Sequence, residues 1–159
     1  MRLFANRPRW QRWLLRGGMG AFALLALAQA VPYGRNHSNP PVSKEPAWNS
    51  LRTRELAVRA CFDCHSDQTK WLWYSNIAPV SWLVQRDVDD GRSALNFSQW
   101  DKPQDVSASD IAEAVHGGMP PWFYTIIHRN AALSTIEKNQ LIAGLNATFA
   151  KSPPIGGGG

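Results

Sequence analysis

Cysteine is scarce, with two in 159 residues, which excludes the disulfide-dense scaffolds that hold many small exported domains together. Long apolar runs are scarcer: there is one, near the N-terminus, so a multi-spanning membrane protein is excluded. The chain also lacks a strand–helix–strand pattern and any internal repeat. Acidic residues are missing from the first 30 positions, where Arg2, Arg7, Arg9, Arg12 and Arg16 sum to +5. The other 129 residues hold 12 basic and 12 acidic side chains, so the net charge of +5 belongs wholly to the N-terminal segment. A neutral body without a Lys/Arg stripe offers phosphates no electrostatic footprint, and nucleic acid is set aside as a partner. What is present is 44% hydrophobic residues and eight tryptophans, too much apolar and aromatic matter for a collagen-like or disordered chain and enough for one domain.

After Arg16 comes GGMGAFALLALAQAV, in which only Gln29 is clearly polar. Arginines followed by such a run read as an export signal or a membrane anchor. The positive-inside rule keeps the arginines cytoplasmic and places everything after Val31 outside. Ala28-Gln29-Ala30 fits the small-x-small cleavage pattern of a removed signal. The uncharged stretch Gly17–Gly34 is 18 residues, the minimum for a span, with Tyr33 at the interface. The expectation is therefore a signal-anchor segment over 1–33 that holds the domain to the outer face of the cytoplasmic membrane, with secretion to the periplasm after cleavage as the alternative.

Residues 34–50 are rich in Pro, Asn and Ser without apolar periodicity and read as an extended linker; 151–159, with Pro153, Pro154 and four glycines, reads as a disordered tail. The folded unit is 51–150, and its apolar spacing is helical. Helices are expected over 51–63 (Leu51, Leu56, Val58, Ala60), over 79–95, and over 108–116 behind a Ser107 or Ser109 cap and before Gly117-Gly118. A last helix starts at Ser134, whose capping box uses Glu137, and buries Ile136, Leu141, Leu145 and Phe149. The fold class is all-α. Trp71, Trp73, Trp100 and Trp122 fall in the connections, and six tryptophans after residue 30 suit a domain wrapping a large flat apolar ligand, or a tryptophan-rich core.

Cys61-Phe62-Asp63-Cys64-His65 is CxxCH, the attachment signature of c-type haem. At the end of a helix, positions 61, 64 and 65 are i, i+3 and i+4, so two thiols and an imidazole share one face. Two thioethers can close on the two vinyl groups of one porphyrin while His65 reaches its iron. Three other readings compete. A thioredoxin-type dithiol expects a strand before it, a zinc site expects two more ligands that His116 and His128 do not supply at the usual spacing, and a disulfide is a by-product of failed loading.

The sixth iron position has Met119, the only methionine after residue 30, and His37, His116 and His128 as candidates. Met119 stands in Gly117-Gly118-Met119-Pro120-Pro121, where glycines admit close backbone approach and prolines hold an extended loop. A thioether so presented is the expected ligand, and His/Met ligation raises the reduction potential. Ordinary core packing is the plain alternative for Met119.

ACFDCHSDQTKWLWYSNIAPVSWLVQRDVDDGRSALNFSQW, GGMPPWFYTIIH and ALSTIEKNQLIAGL together resemble the bacterial haem-binding domain family of small cytochrome c-like proteins, over almost all of 51–147. VPYGRNHSNPP resembles that family's membrane-proximal segment, in which the N-terminal helix is typically kept. The resemblance implies a class I-like cytochrome c fold carrying one covalent haem c on Cys61, Cys64 and His65, with Met119 as distal ligand. Leu72 and Arg129 stand where the family often has proline, which bears on local loop geometry. The expected function is one-electron transfer with redox partner proteins rather than enzymatic turnover. The alternatives are a haem sensor or small peroxidase with a labile sixth ligand, and a haem subunit of a larger complex. No second histidine–arginine pair is placed for O–O cleavage, which favours transfer.

Overall fold

The structure, a computed structural model, describes residues 8–156; Arg2, Arg7 and the last three glycines lie outside the described residues. Its described elements are α1 (Arg9–Ala28), α2 (Leu51–Ala60), α3 (Phe62–His65), α4 (Val80–Ala94), α5 (Ala108–His116), α6 (Trp122–Ile127) and α7 (Thr135–Lys151), with short 3-10 turns at Trp73–Asn76 and Arg129–Ala131. Among the described residues there is no strand, only two isolated bridges, so the fold is all-α. The chain forms two compact units, Met1–His37 with Leu72–Gln85, and Ser38–Trp71 with Arg86–Gly159.

In the first unit α1 corrects an expectation. Among the described residues no helix is long and apolar enough to cross a membrane. Arg9, Arg12 and Arg16 occupy the front of α1, and its apolar remainder, Gly17–Ala28, rises about 18 Å at 1.5 Å per residue against a hydrocarbon core of roughly 30 Å. Past Ala28 the chain turns out of the helix ahead of Pro32, and the Gln29 carboxamide donates to the Ala78 carbonyl (2.8 Å) and accepts from the Ala78 amide (3.1 Å). His37 Nε2 sits 2.9 Å from the Ser75 carbonyl oxygen and 3.2 Å from that of Gly34.

The second unit carries the large core. Ser50 caps α2 by accepting from the Thr53 amide, and the boxes Ser107/Asp110 and Ser134/Glu137 start α5 and α7, so each helix begins where its unpaired amides find a side-chain acceptor. α7 packs on α2 and α5. It approaches α2 closely at Gly144, where a Cβ would lie 2.8 Å from Thr53 Cγ2. Leu56, Phe62, Phe97, Leu141 and Leu145 are buried between these helices, each worth about 1.5–3 kcal/mol of transfer free energy. Leu51 and Ile136, expected inside, are 88% and 70% exposed: each sits in the first turn of its helix, short of the core.

The tryptophans divide between the two readings left open for them. Trp100, 2% exposed, joins a run of rings with Phe97 (6.0 Å, stacked), Phe62 and Trp48, closed edge-on by Phe149, and its indole N–H donates to the Ser152 carbonyl. Trp73 and Trp122 lie in a 3-10 turn and at the start of α6 rather than in loops, and both are exposed. The segment read as a linker is knitted into the domain: Arg92 on α4 donates to the Ser38 and Ser66 carbonyls, to Asn39 Oδ1 and to Thr69 Oγ1, while Glu45 pairs with Arg54 at 2.7 Å. Asp67, buried beneath it, accepts from Asn96 and Gln99, as a buried carboxylate must. Past α7, Ile155 bridges Pro103.

Candidate functional site

The helix expected to continue to residue 63 breaks at Cys61, whose φ of −123° ends α2; α3 restarts at Phe62 as a single turn. Inside that turn the Cys64 and His65 amides both donate to the Cys61 carbonyl, at 3.1 and 2.8 Å. The i, i+3, i+4 spacing is thereby wound so that both thiols and the imidazole line one cavity of about 370 Å³. Its second wall is α4, through Asp87, Asp90, Gly91 and Ala94, and its third is the segment from Met119 to Tyr124.

Gly91 sets how near α4 comes. A Cβ there would lie 2.9 Å from Cys64 Cβ and closer still to the Cys64 carbonyl, so any larger residue forces the two walls apart. Glycine in a helix interior costs about 1 kcal/mol relative to alanine, and that anomaly was the available signal for a close approach within VDDGRS.

His65 is oriented by the backbone. Its Nδ1 lies 3.2 Å from the Leu95 carbonyl oxygen, which can only accept, so Nδ1 carries the proton and Nε2 keeps its lone pair for a metal. Burial pushes the imidazole below its ordinary range, against the raising effect of carbonyls at Leu95 and Gly91. Both thiols are pushed up to about 12, Cys61 by burial and then by Cys64, Cys64 by burial and then by Asp87 and Asp63. Redox-active dithiols have lowered values, the opposite direction, and no strand precedes this half-buried pair among the described residues, as one would a thioredoxin-type centre. Among the described residues no three His, Cys, Asp or Glu side chains gather as a zinc site needs.

The third wall is formed by the loop after α5. Gly117 caps that helix, Gly118 takes φ +120°, a conformation that favours glycine, and the Met119 amide returns to the Ala114 carbonyl at 3.0 Å. Met119 is 43% exposed and reaches the cavity beside Pro120 and Pro121. The three other sixth-position candidates do not line it: His37 belongs to the first unit, His116 is exposed, and His128 stacks on Tyr124 at 4.0 Å. No tryptophan lines it either.

Two residues of the site escaped the sequence. The Tyr124 hydroxyl donates to Asp63 Oδ2 at 2.6 Å, while Asp63 Oδ1 accepts from the Lys70 amide. Asp63 is the interior residue of CxxCH, so this bond ties the methionine segment to the cysteine segment across 61 positions, a separation no local pattern signals. Asp87 is held above its ordinary range by burial and by Asp90.

An apolar cavity with two thiols, an imidazole presented through Nε2 and a thioether at its rim has the donor chemistry of a haem pocket, and the residues fit that group. A family model described as a haem-binding domain matches residues 23–147, about four-fifths of the chain. No curated protein and no solved structure matches.

Proposed function

The chain belongs to the haem-binding domain family, and from that premise we propose that it is a c-type cytochrome that passes single electrons between redox proteins outside the cytoplasm. Cys61 and Cys64 would hold one haem through two thioether sulfurs, and His65 and Met119 would be the ligands to its iron. The carrying observation is that Met119, 54 positions after His65, lines the same apolar cavity as the whole CxxCH motif.

Bound haem supplies an iron that gains and loses one electron. The rest is the work of the chain. Leu95 holds the His65 proton on Nδ1 and so directs Nε2 inward. Ala60, Ala94, Pro120 and Phe123 give the cavity an apolar lining. Asp87 and Asp90, which line the cavity, would favour the more positive state of a bound iron and oppose the rise in potential that a methionine ligand brings. The Arg-rich N-terminal segment supports export, and c-type haem is attached outside the cytoplasm.

The test is the visible spectrum and pyridine haemochrome of the full chain expressed with a cytochrome c maturation system, followed by carbon monoxide. Covalent haem with a low-spin spectrum and a sulfur-to-iron charge-transfer band, unchanged by carbon monoxide, is the expected result. Ready carbon monoxide binding moves the function to sensing or peroxide chemistry, and absence of covalent haem overturns the reading.

A further inference from the structure

Behind the wall formed by Asp63 and Tyr124 lies a second cleft of about 500 Å³, in the same unit as the haem cavity and sharing those two residues with it. Val58, Ile127 and the buried Ala131 are among the residues that line it. Its polar groups are unbalanced. Arg59 donates through Nε to the Asn130 carbonyl (3.0 Å) and through Nη1 to Glu137 (2.7 Å), which leaves Nη2 without a hydrogen-bond partner among the described residues. Lys70 and Arg129 form no ion pair among the described residues. The cleft's one carboxylate, Asp63, already accepts on both oxygens, from Tyr124 and from the Lys70 amide.

Arg59 is thus partly compensated by Glu137, whereas Lys70 and Arg129 add two cations without acidic partners among the described residues beside one carboxylate whose oxygens are engaged, in a unit whose other arginines have such partners. Fixed donors without acceptors recognise an oxyanion, and charge-assisted bonds from guanidinium and ammonium groups are the strong ones. A single exposed cation binds weakly in water, so the ligand must engage several donors at once. We propose that this cleft binds a small oxyanion of at least two negative charges, a di- or tricarboxylate or a phosphate, held by Arg59 Nη2, Lys70 and Arg129. The proposal does not depend on the iron ligands or on electron transfer.

Calorimetric titration of the full-length haem-loaded protein with citrate, and separately with inorganic phosphate, tests it. Saturable binding of at least one probe is expected, weakened at least tenfold in Lys70→Gln/Arg129→Gln and unchanged in Lys102→Gln, an exposed lysine outside the cleft. Arg129→Gln alone, which breaks no ion pair, is expected to weaken binding several-fold and gives the same reading should the double variant fail to fold. No saturable binding, or equal binding in the variants, overturns the proposal. Binding of a hexaglutamate peptide without binding of citrate or phosphate also overturns it, in favour of a protein partner. Should the unmodified chain take no covalent haem under cytochrome c maturation and still bind the oxyanion, the electron-carrier reading falls and this one stands.

Discussion

The cysteine wall and the methionine wall of the cavity present sulfur and nitrogen to one space, yet they are built in opposite ways. Cys61, Cys64 and His65 come from five consecutive residues, and their shared direction follows from one turn of helix whose two amides close on the Cys61 carbonyl. Met119 comes from a loop whose place depends on the Gly118 conformation, on the return bond to Ala114 and on the Tyr124–Asp63 bond. The first wall has its chemistry in local geometry; the second has it in tertiary contacts. Changes to the first should act on whether haem is held, and changes to the second on how the iron behaves.

The largest expected effect lies on the cysteine wall. Cys61→Ser with Cys64→Ser should reduce covalent haem in a pyridine haemochrome assay to background, because no other cysteine exists to carry a thioether. Met119→Ala should leave covalent haem in place but open the sixth position, with loss of the sulfur-to-iron band, carbon monoxide binding and a lower reduction potential. An unaltered spectrum in that variant would remove Met119 from the ligand set.

Gly91→Ala tests how tightly α4 closes on the cysteine wall. The new methyl group meets Cys64 backbone and Cβ, so a loss of about 1–3 kcal/mol in denaturant unfolding is expected, with poorer haem loading. Tyr124→Phe should cost less, about 0.5–1.5 kcal/mol for one hydrogen bond, and should perturb the methionine-dependent band while haem content stays constant. If haem content fell and the band did not move, the division of labour between the walls would be wrong.

The smallest effect belongs to neither wall. Glu137 is held at about 2, first by the Ser134 backbone amide of its capping box and then by Arg59. Its folded value lies below the ordinary 4.5, so its contribution is present above that value and is lost as pH falls through about 2. Acid unfolding of Glu137→Gln should show a shallower dependence across that window than the parent, with the haem spectrum of the folded protein unchanged.

Much of the helical frame was legible in the sequence because its signals are local. The α5 and α7 boundaries follow from Ser107, Gly117 and the Ser134/Glu137 box, and Leu141, Leu145 and Phe149 face the core at helical spacing. Leu51 and Ile136 were misplaced because periodicity assigns a face but not the point along a helix where the core ends. α6 was missed because its six residues follow two prolines and are too few to show an amphipathic period.

The membrane span was misread, and the role of the tryptophans left open, for a common reason: composition counts residues without saying what each is bonded to. Gln29 looked like a tolerable interruption of an apolar run, but its carboxamide pairs with the Ala78 backbone and the helix ends before it. Tryptophan content fitted either a sheath for a flat ligand or a tryptophan-rich core; Trp100 stacks on Phe97, Trp48 packs tilted against the same ring, and no tryptophan lines the cavity.

By itself, then, the sequence determined the helical class and the grouping of two thiols with an imidazole, since a helical turn converts i, i+3, i+4 spacing into one face whatever surrounds it. Only the tertiary structure decided which of four distant sixth-position candidates reaches that face, which nitrogen of His65 is left for a metal, and that Tyr124 and Gly91 fix the width between the walls. Those outcomes depend on contacts between residues up to 61 positions apart, set by how α4 and the Met119 loop pack against one short turn.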